Sequence, residues 1–204
     1  VKLNSADFQK GGFDFDDSLQ VACWLAEAGV DLIEISGGTY EQPKLLGVEG
    51  IEEEAGQSVA ESTLAREAYF VDFAKAMQDK VAVPLMVTGG FRRRDVMARC
   101  VAEGAVDLVG LGRPMCVLTH APARLFAGLD ALPRYEAELA LFPAWLSGLT
   151  RIKTLRTLAT FAVQYWFYAQ LDLLGRTGAA DPDLSVMRAT QRVMALQKRL
   201  LAGR

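Results

Sequence analysis

The sequence predicts an α/β fold: a parallel sheet, covered by helices on both faces or closed into a barrel, followed by an all-helical extension. Three observations carry this. Apolar runs near residues 1–4, 30–36, 81–87 and 106–111 are continuous rather than alternating, the pattern of strands buried on both faces. Helix-length runs separate them, near 16–28, 62–78 and 93–103, with a fourth near 121–128. After Leu129 no strand pattern recurs, and "YEAELALFPAWLSGL", "TRIKTLRTLATFAVQYWFYAQLDLLG" and "DPDLSVMRATQRVMALQKRLL" read as helices.

The four units are related in pairs. "AEAGVDLIEISGG" (26–38) and "AEGAVDLVGLGR" (102–113) share an order: small and acidic residues close a helix, Val-Asp-Leu opens a strand, and glycine ends it. Their Val-Asp-Leu starts, at 30 and 106, lie 76 residues apart and enclose the intermediate strand "VAVPLMVTGG" (81–90), so each strand–helix unit occupies a little under 40 residues. Asp17 or Ser18 is the expected cap of the first helix and Ser62 of the second, since their side-chain oxygens suit unpaired helix-start amides. An open sheet beginning at Val1 leaves an unprotected edge, so an upstream partner is expected. Completing an eight-unit barrel takes four further units, about 125 residues or more.

The chain has 204 residues, 51% of them hydrophobic, enough for one sizeable core and unlike a disordered or collagenous sequence. A net charge of -3, with only Arg92–Arg94 as a basic cluster, argues against nucleic acid as a partner. Cys23, Cys100 and Cys116 have neither metal-ligand nor disulfide spacing, and with no secretory signal in view the expectation is a reduced, cytoplasmic protein. The stretch Thr157–Leu171 lacks Asp, Glu, Lys and Arg for 15 residues, yet is too short and too polar to span a bilayer. It is expected to pack over the sheet domain or to join copies of the chain into a homo-oligomer.

Two strand ends stand out. "VTGGFRRRDV" (87–96) and "VDLVGLGRPM" (106–115) each close an apolar run with glycine and follow it with arginine. In parallel strand–helix folds ligands bind at the carboxyl ends of strands, and in barrels phosphate sits at the last two loops. Gly89 and Gly90 let backbone amides approach an anion without an obstructing Cβ. Gly112 does likewise, and the Arg113 guanidinium matches phosphate oxygens. A phosphate site is therefore expected here, with simple tight turns as the alternative.

The order "VKLNSADF", "IEISGG", "TGGFR", "GLGRP" resembles the carboxyl half of the old yellow enzyme, or NADH:flavin oxidoreductase, family of FMN-binding barrels, over about residues 1–128. The resemblance implies the carboxyl-terminal half of a (β/α)8 TIM barrel over residues 1–129, with a helical extension over 130–204. It implies that Gly89, Gly90, Gly112 and Arg113 hold the FMN phosphate, and it sets Lys2 beside the pyrimidine edge of the flavin, where the family usually has arginine. A cation there suits the negative charge that flavin reduction builds on that edge. Implied with it are NADH or NADPH as reductant and an electron-poor alkene, such as an α,β-unsaturated carbonyl, as substrate.

The family's substrate-holding His-His or His-Asn pair is not found in these 204 residues, and His120, the single histidine, reads as a capping or surface residue. The pair is expected upstream, leaving no catalytic residue assigned in this chain. The long connection 40–58, with its acidic run Glu52–Glu54, reads as a solvated loop. Two alternatives stay open: another phosphate-binding barrel enzyme, a lyase or isomerase, and a non-catalytic half-barrel that serves assembly.

Overall fold

A computed structural model describes residues 1–7, 11–36 and 73–203. The expected Ser62 cap, the first turns of the helix at 62–78 and the 40–58 connection fall outside the described residues.

Contacts divide the chain into two units, Val1–Gly112 and Arg113–Arg204. The division falls earlier than the 129/130 boundary suggested by composition, because the 3-10 turn Arg113–Cys116 packs with the helices that follow it.

In the first unit, β1 (Lys2–Asn4), β2 (Ile33–Ser36), β3 (Leu85–Thr88) and β4 (Leu108–Gly110) form one parallel sheet in the order β1-β2-β3-β4. Helix α1 (Phe15–Glu27) connects β1 to β2, helical turns at 73–78 precede β3, and α2 (Arg94–Ala102) connects β3 to β4. Sequential neighbours, all parallel with helical crossovers, are the expected strand–helix units. Ile33, Ile35, Leu85 and Val87 are at most 1% exposed and form the core with Ala22, Phe73, Met77 and Val106. Burial of these β-branched and leucine side chains is the main driving force for the unit.

The caps are more specific than expected. Asp14, not Asp17 or Ser18, is the N-cap of α1: its carboxylate accepts from the Asp17 amide at 3.0 Å, and Asp17 reciprocates on the Asp14 amide at 3.3 Å. Ser18 instead donates to the Asn4 carbonyl at 2.9 Å, tying α1 to β1. The Val-Asp-Leu repeat also acquires a cause at its second occurrence. The Asp107 carboxylate accepts from the Leu85 amide at 2.8 Å and from Gln78 at 3.0 Å, locking the entry of β4 beside β3.

The second unit is helical, as expected: α3 (Ala121–Phe126), α4 (Tyr135–Glu138), a 3-10 stretch Ala144–Arg151, α5 (Lys153–Thr177) and α6 (Val186–Ala202). The run read as a single helix from Tyr135 is thus a short helix and a 3-10 stretch, split at Leu139–Pro143, because proline cannot continue a helix. Trp166, Phe167, Ala162 and Ala169 of α5 pack on Val186, Ala189 and Val193 of α6. Three polar side chains then brace the hairpin. Trp166 Nε1 donates to the Leu184 carbonyl at 2.6 Å. The fully buried Gln170 donates to the Asp181 carbonyl and accepts from the Asp181 amide, both at 2.8 Å. Asp172 receives Arg176 at 2.6 Å and Arg192 at 2.7 Å. Gly178 ends α5 in the left-handed conformation, φ 74°.

Among the described residues no helix is long and apolar enough to cross a membrane, and no group of three or more His, Cys, Asp or Glu is placed to hold a metal. Cys100 is buried, Cys23 and Cys116 are half-buried, and all three are free thiols.

Candidate functional site

Because the four strands are parallel, their carboxyl ends lie along one edge of the sheet, at Asn4, Ser36, Thr88 and Gly110. The register pairs Asn4 with Ser36 and Thr88 with Gly110. Gly90 and Gly112 each follow two residues after a member of the second pair, so both glycine loops leave adjacent strands at a matched level.

The glycines are required for different reasons. Gly89 and Gly90 have φ of 137° and 74°, which side-chain-bearing residues adopt only under strain, and the turn is tightened by the Phe91 amide donating to the Gly89 carbonyl at 2.9 Å. At Gly110 a Cβ would come within 1.8 Å of Thr88 Oγ1 and 2.8 Å of Thr88 Cβ, so glycine is demanded by the neighbouring strand. At Gly112 a Cβ would meet nothing within 4 Å. Packing of the described residues therefore does not demand glycine at 112; the open side leaves room for an external group against that backbone, as it does at other turns such as Gly104 and Gly128.

The basic residues next to these loops are already engaged. Arg92 is 6% exposed and donates to the Phe91 carbonyl at 2.9 Å. Arg93 is the N-cap of α2 without a side-chain cap bond, and it grips Asp95 at 3.0 and 2.5 Å. This hydrogen bond holds the Asp95 carboxyl below its usual range, and the Val96 amide pulls the same way. The start of α2 thus carries a carboxylate of its own, which offsets part of the positive end expected there. Arg113 opens the second unit, where its Nη1 lies 3.4 Å from Glu136 Oε1 on α4. His120 is exposed at the N-cap position of α3 and makes no capping bond there, a surface residue as expected.

The β1 end of the sheet holds a group that sequence reasoning missed. Registered partners Lys2 and Glu34 meet through Nζ and Oε1 at 2.9 Å, with 57% and 22% of their side chains exposed. Burial pushes the Glu34 carboxyl up, but the Lys2 hydrogen bond, the Thr88 hydroxyl and the Lys2 charge together outweigh it, leaving the group below its usual value. Thr88 Oγ1 contributes by proximity; it makes no hydrogen bond of good geometry. Residues two apart on a strand share a face, so Glu34 lies opposite the buried Ile33 and Ile35, on the face that Lys2 also occupies. The available signal was a carboxylate interrupting the apolar run "LIEIS".

Next to Lys2, the turn out of β1 is braced by Asp7. Its two carboxylate oxygens accept from Asn4 Nδ2 at 2.6 Å and from the Phe13 amide at 3.2 Å, and its own amide donates to the Phe13 carbonyl at 2.8 Å.

No protein-family model matches the chain. It is 42% identical over 118 residues to the NADH-dependent flavin oxidoreductase iliE of Neonectria sp. (strain DH2), covering 57% of this chain and 15% of that protein. Against the NADH-dependent flavin oxidoreductase iccE of Talaromyces variabilis it is 30% identical over 167 residues, 81% of this chain and 39% of that one. An NADPH dehydrogenase of Bacillus pumilus (strain SAFR-032) is 31% identical over 117 residues, 55% of this chain and 28% of that protein. The chain therefore spans well under half the length of these relatives. Among solved structures, a 2-naphthoyl-CoA reductase in complex with 2-naphthoyl-CoA superposes with a TM-score of 0.50 at 22% identity, over 62% of this chain and 17% of that one. That likeness supports the fold: parallel strand–helix units of the barrel type, followed by helices.

Proposed function

This chain is a homologue of part of the NADH:flavin oxidoreductases of the old yellow enzyme family, and from that premise we propose that it supplies the FMN-binding rim of an NAD(P)H-dependent ene-reductase. The observation that carries the reading is the pair of register-matched glycine loops leaving adjacent strands, the first of them turning through Gly89 and Gly90 at positive φ. Gly89, Gly90 and Gly112 bring backbone close to the FMN phosphate, and Arg113, next in the chain, adds a charge-assisted contact. Lys2 stands at the flavin's pyrimidine edge and offers a preorganised cation.

When bound, FMN supplies hydride transfer, accepting from NADH or NADPH and delivering to the electron-poor carbon of an activated alkene such as an α,β-unsaturated carbonyl. The residues of this chain bind and orient the cofactor and stabilise its negative charge. Groups that hold the substrate carbonyl are assigned to the part of the longer protein outside these 204 residues.

The test is titration of the full-length apoprotein with FMN, wild type against Arg113→Ala. Loss of one charge-assisted phosphate contact costs about 1.5–3 kcal/mol, at least a tenfold weaker affinity. A full-length protein that takes up no flavin would instead favour a barrel enzyme that grips a phosphorylated substrate directly.

A further inference from the structure

The Lys2–Glu34 pair raises a question that the FMN reading leaves open. A cation placed to stabilise reduced flavin is most effective unpaired, yet Lys2 Nζ is 2.9 Å from a carboxylate on the adjacent strand. The pair is no accident of mobile side chains. β1 and β2 are registered so that Lys2 and Glu34 are direct cross-strand partners, and Glu34 is half-buried. Glu34 is thus a negative charge facing the cation, held by its hydrogen bond to Lys2 across the β1–β2 register.

We propose that Glu34 is a tuning residue, which sets the reduction potential of the flavin by partly neutralising Lys2. The inference rests on the placement of Lys2 at the flavin's pyrimidine edge. Reduction adds negative charge at that edge; Lys2 favours it, and Glu34, a short distance behind the ammonium, opposes it. The potential is therefore held lower than an unpaired lysine would set it, so that the reduced flavin is a stronger hydride donor. Glu34 acts through Lys2 and through the field, with no contact to the reacting atoms.

The experiment is a spectroscopic measurement of the FMN midpoint potential in the full-length flavoprotein, for wild type, Glu34→Gln, Lys2→Met and the double variant. Glu34→Gln is expected to favour reduced over oxidised flavin by about tenfold, which for a two-electron couple is a rise of about 30 mV. Lys2→Met is expected to lower the potential, and adding Glu34→Gln to it should restore it to no higher than wild type. If Lys2→Met lowers the potential while Glu34→Gln leaves it unchanged or lowers it, tuning by Glu34 is overturned and the Lys2 placement stands. If Lys2→Met has no effect in a protein that still binds FMN, the Lys2 placement fails and takes the proposal with it. Glu34→Asp, which withdraws the carboxylate by one methylene while keeping its charge, covers the case in which the glutamine variant does not fold: a smaller rise is expected, and no rise overturns the proposal.

Discussion

The rim of the sheet and the hairpin of α5 and α6 use polar groups in opposite ways. In the hairpin, Trp166, Gln170 and Asp172 each spend their polar atoms on a partner in the same unit, at 2.6–2.8 Å. In the sheet unit, the Gly89–Gly90 turn, the open side of Gly112 and the Lys2–Glu34 pair on the less buried face serve no comparable packing purpose. Groups that close on themselves mark a scaffold, whereas groups with no internal partner of that kind are the ones free to meet something else.

The sharpest way to break the comparison is to remove a scaffold anchor. Trp166→Ala deletes a fully buried indole and its bond to the Leu184 carbonyl, and is expected to cost about 3–5 kcal/mol, read as the urea midpoint of the helical unit's fluorescence or helix signal. A cost under 1 kcal/mol would place the hairpin outside the scaffold class. Next in size is Gly110→Ala, whose Cβ must displace Thr88 on the adjacent strand; about 1–3 kcal/mol of stability is expected to be lost, by thermal melting.

A smaller effect is expected from acid. Hydrogen bonds from Arg176 and Arg192 hold the Asp172 carboxyl below its usual value, despite some burial that acts the other way. A depressed folded-state value means that the stabilisation is complete above the unfolded-state range, near pH 4, and is lost as pH falls through the lower folded-state value. Melting temperature should therefore fall on acidification below about pH 4 by more in the wild type than in Asp172→Asn. Equal slopes would show that the two arginines add nothing.

Smallest in stability, and most telling for the rim, is Gly112→Ala. Since the new methyl meets no described atom within 4 Å, folding should change by no more than about 0.5 kcal/mol, while FMN affinity of the full-length protein is expected to fall about tenfold where the methyl would crowd the proposed phosphate position. Unchanged affinity would leave Gly112 as an ordinary turn residue.

Continuous apolar runs made the four strands legible, although burial along "IEIS" and "LMVT" alternates between buried and half-buried positions rather than filling both faces equally. The helical extension was legible for a similar reason, apart from the break before Pro143. Less legible were interactions that depend on cross-strand register. Glu34 is one residue in an apolar stretch until the pairing of β1 with β2 brings Lys2 against it. Likewise Gly110 and Gly112 look equivalent in "VGLGR", and only the position of Thr88 separates the one that neighbouring atoms demand from the one they do not. Asp14 escaped notice as a cap because Asp16, Asp17 and Ser18 crowd the same stretch with equally suitable oxygens.

Gln170 grips the Asp181 peptide unit through its N–H and C=O alone. Those two bonds are indifferent to the side chain carried there, but the Asp181 carboxylate also accepts from the Asp183 amide at 3.1 Å, bracing the turn into the last helix. The connector between the two long helices therefore asks two things of position 181: an amide hydrogen, which rules out proline, and a short side-chain acceptor, which asparagine keeps and alanine does not.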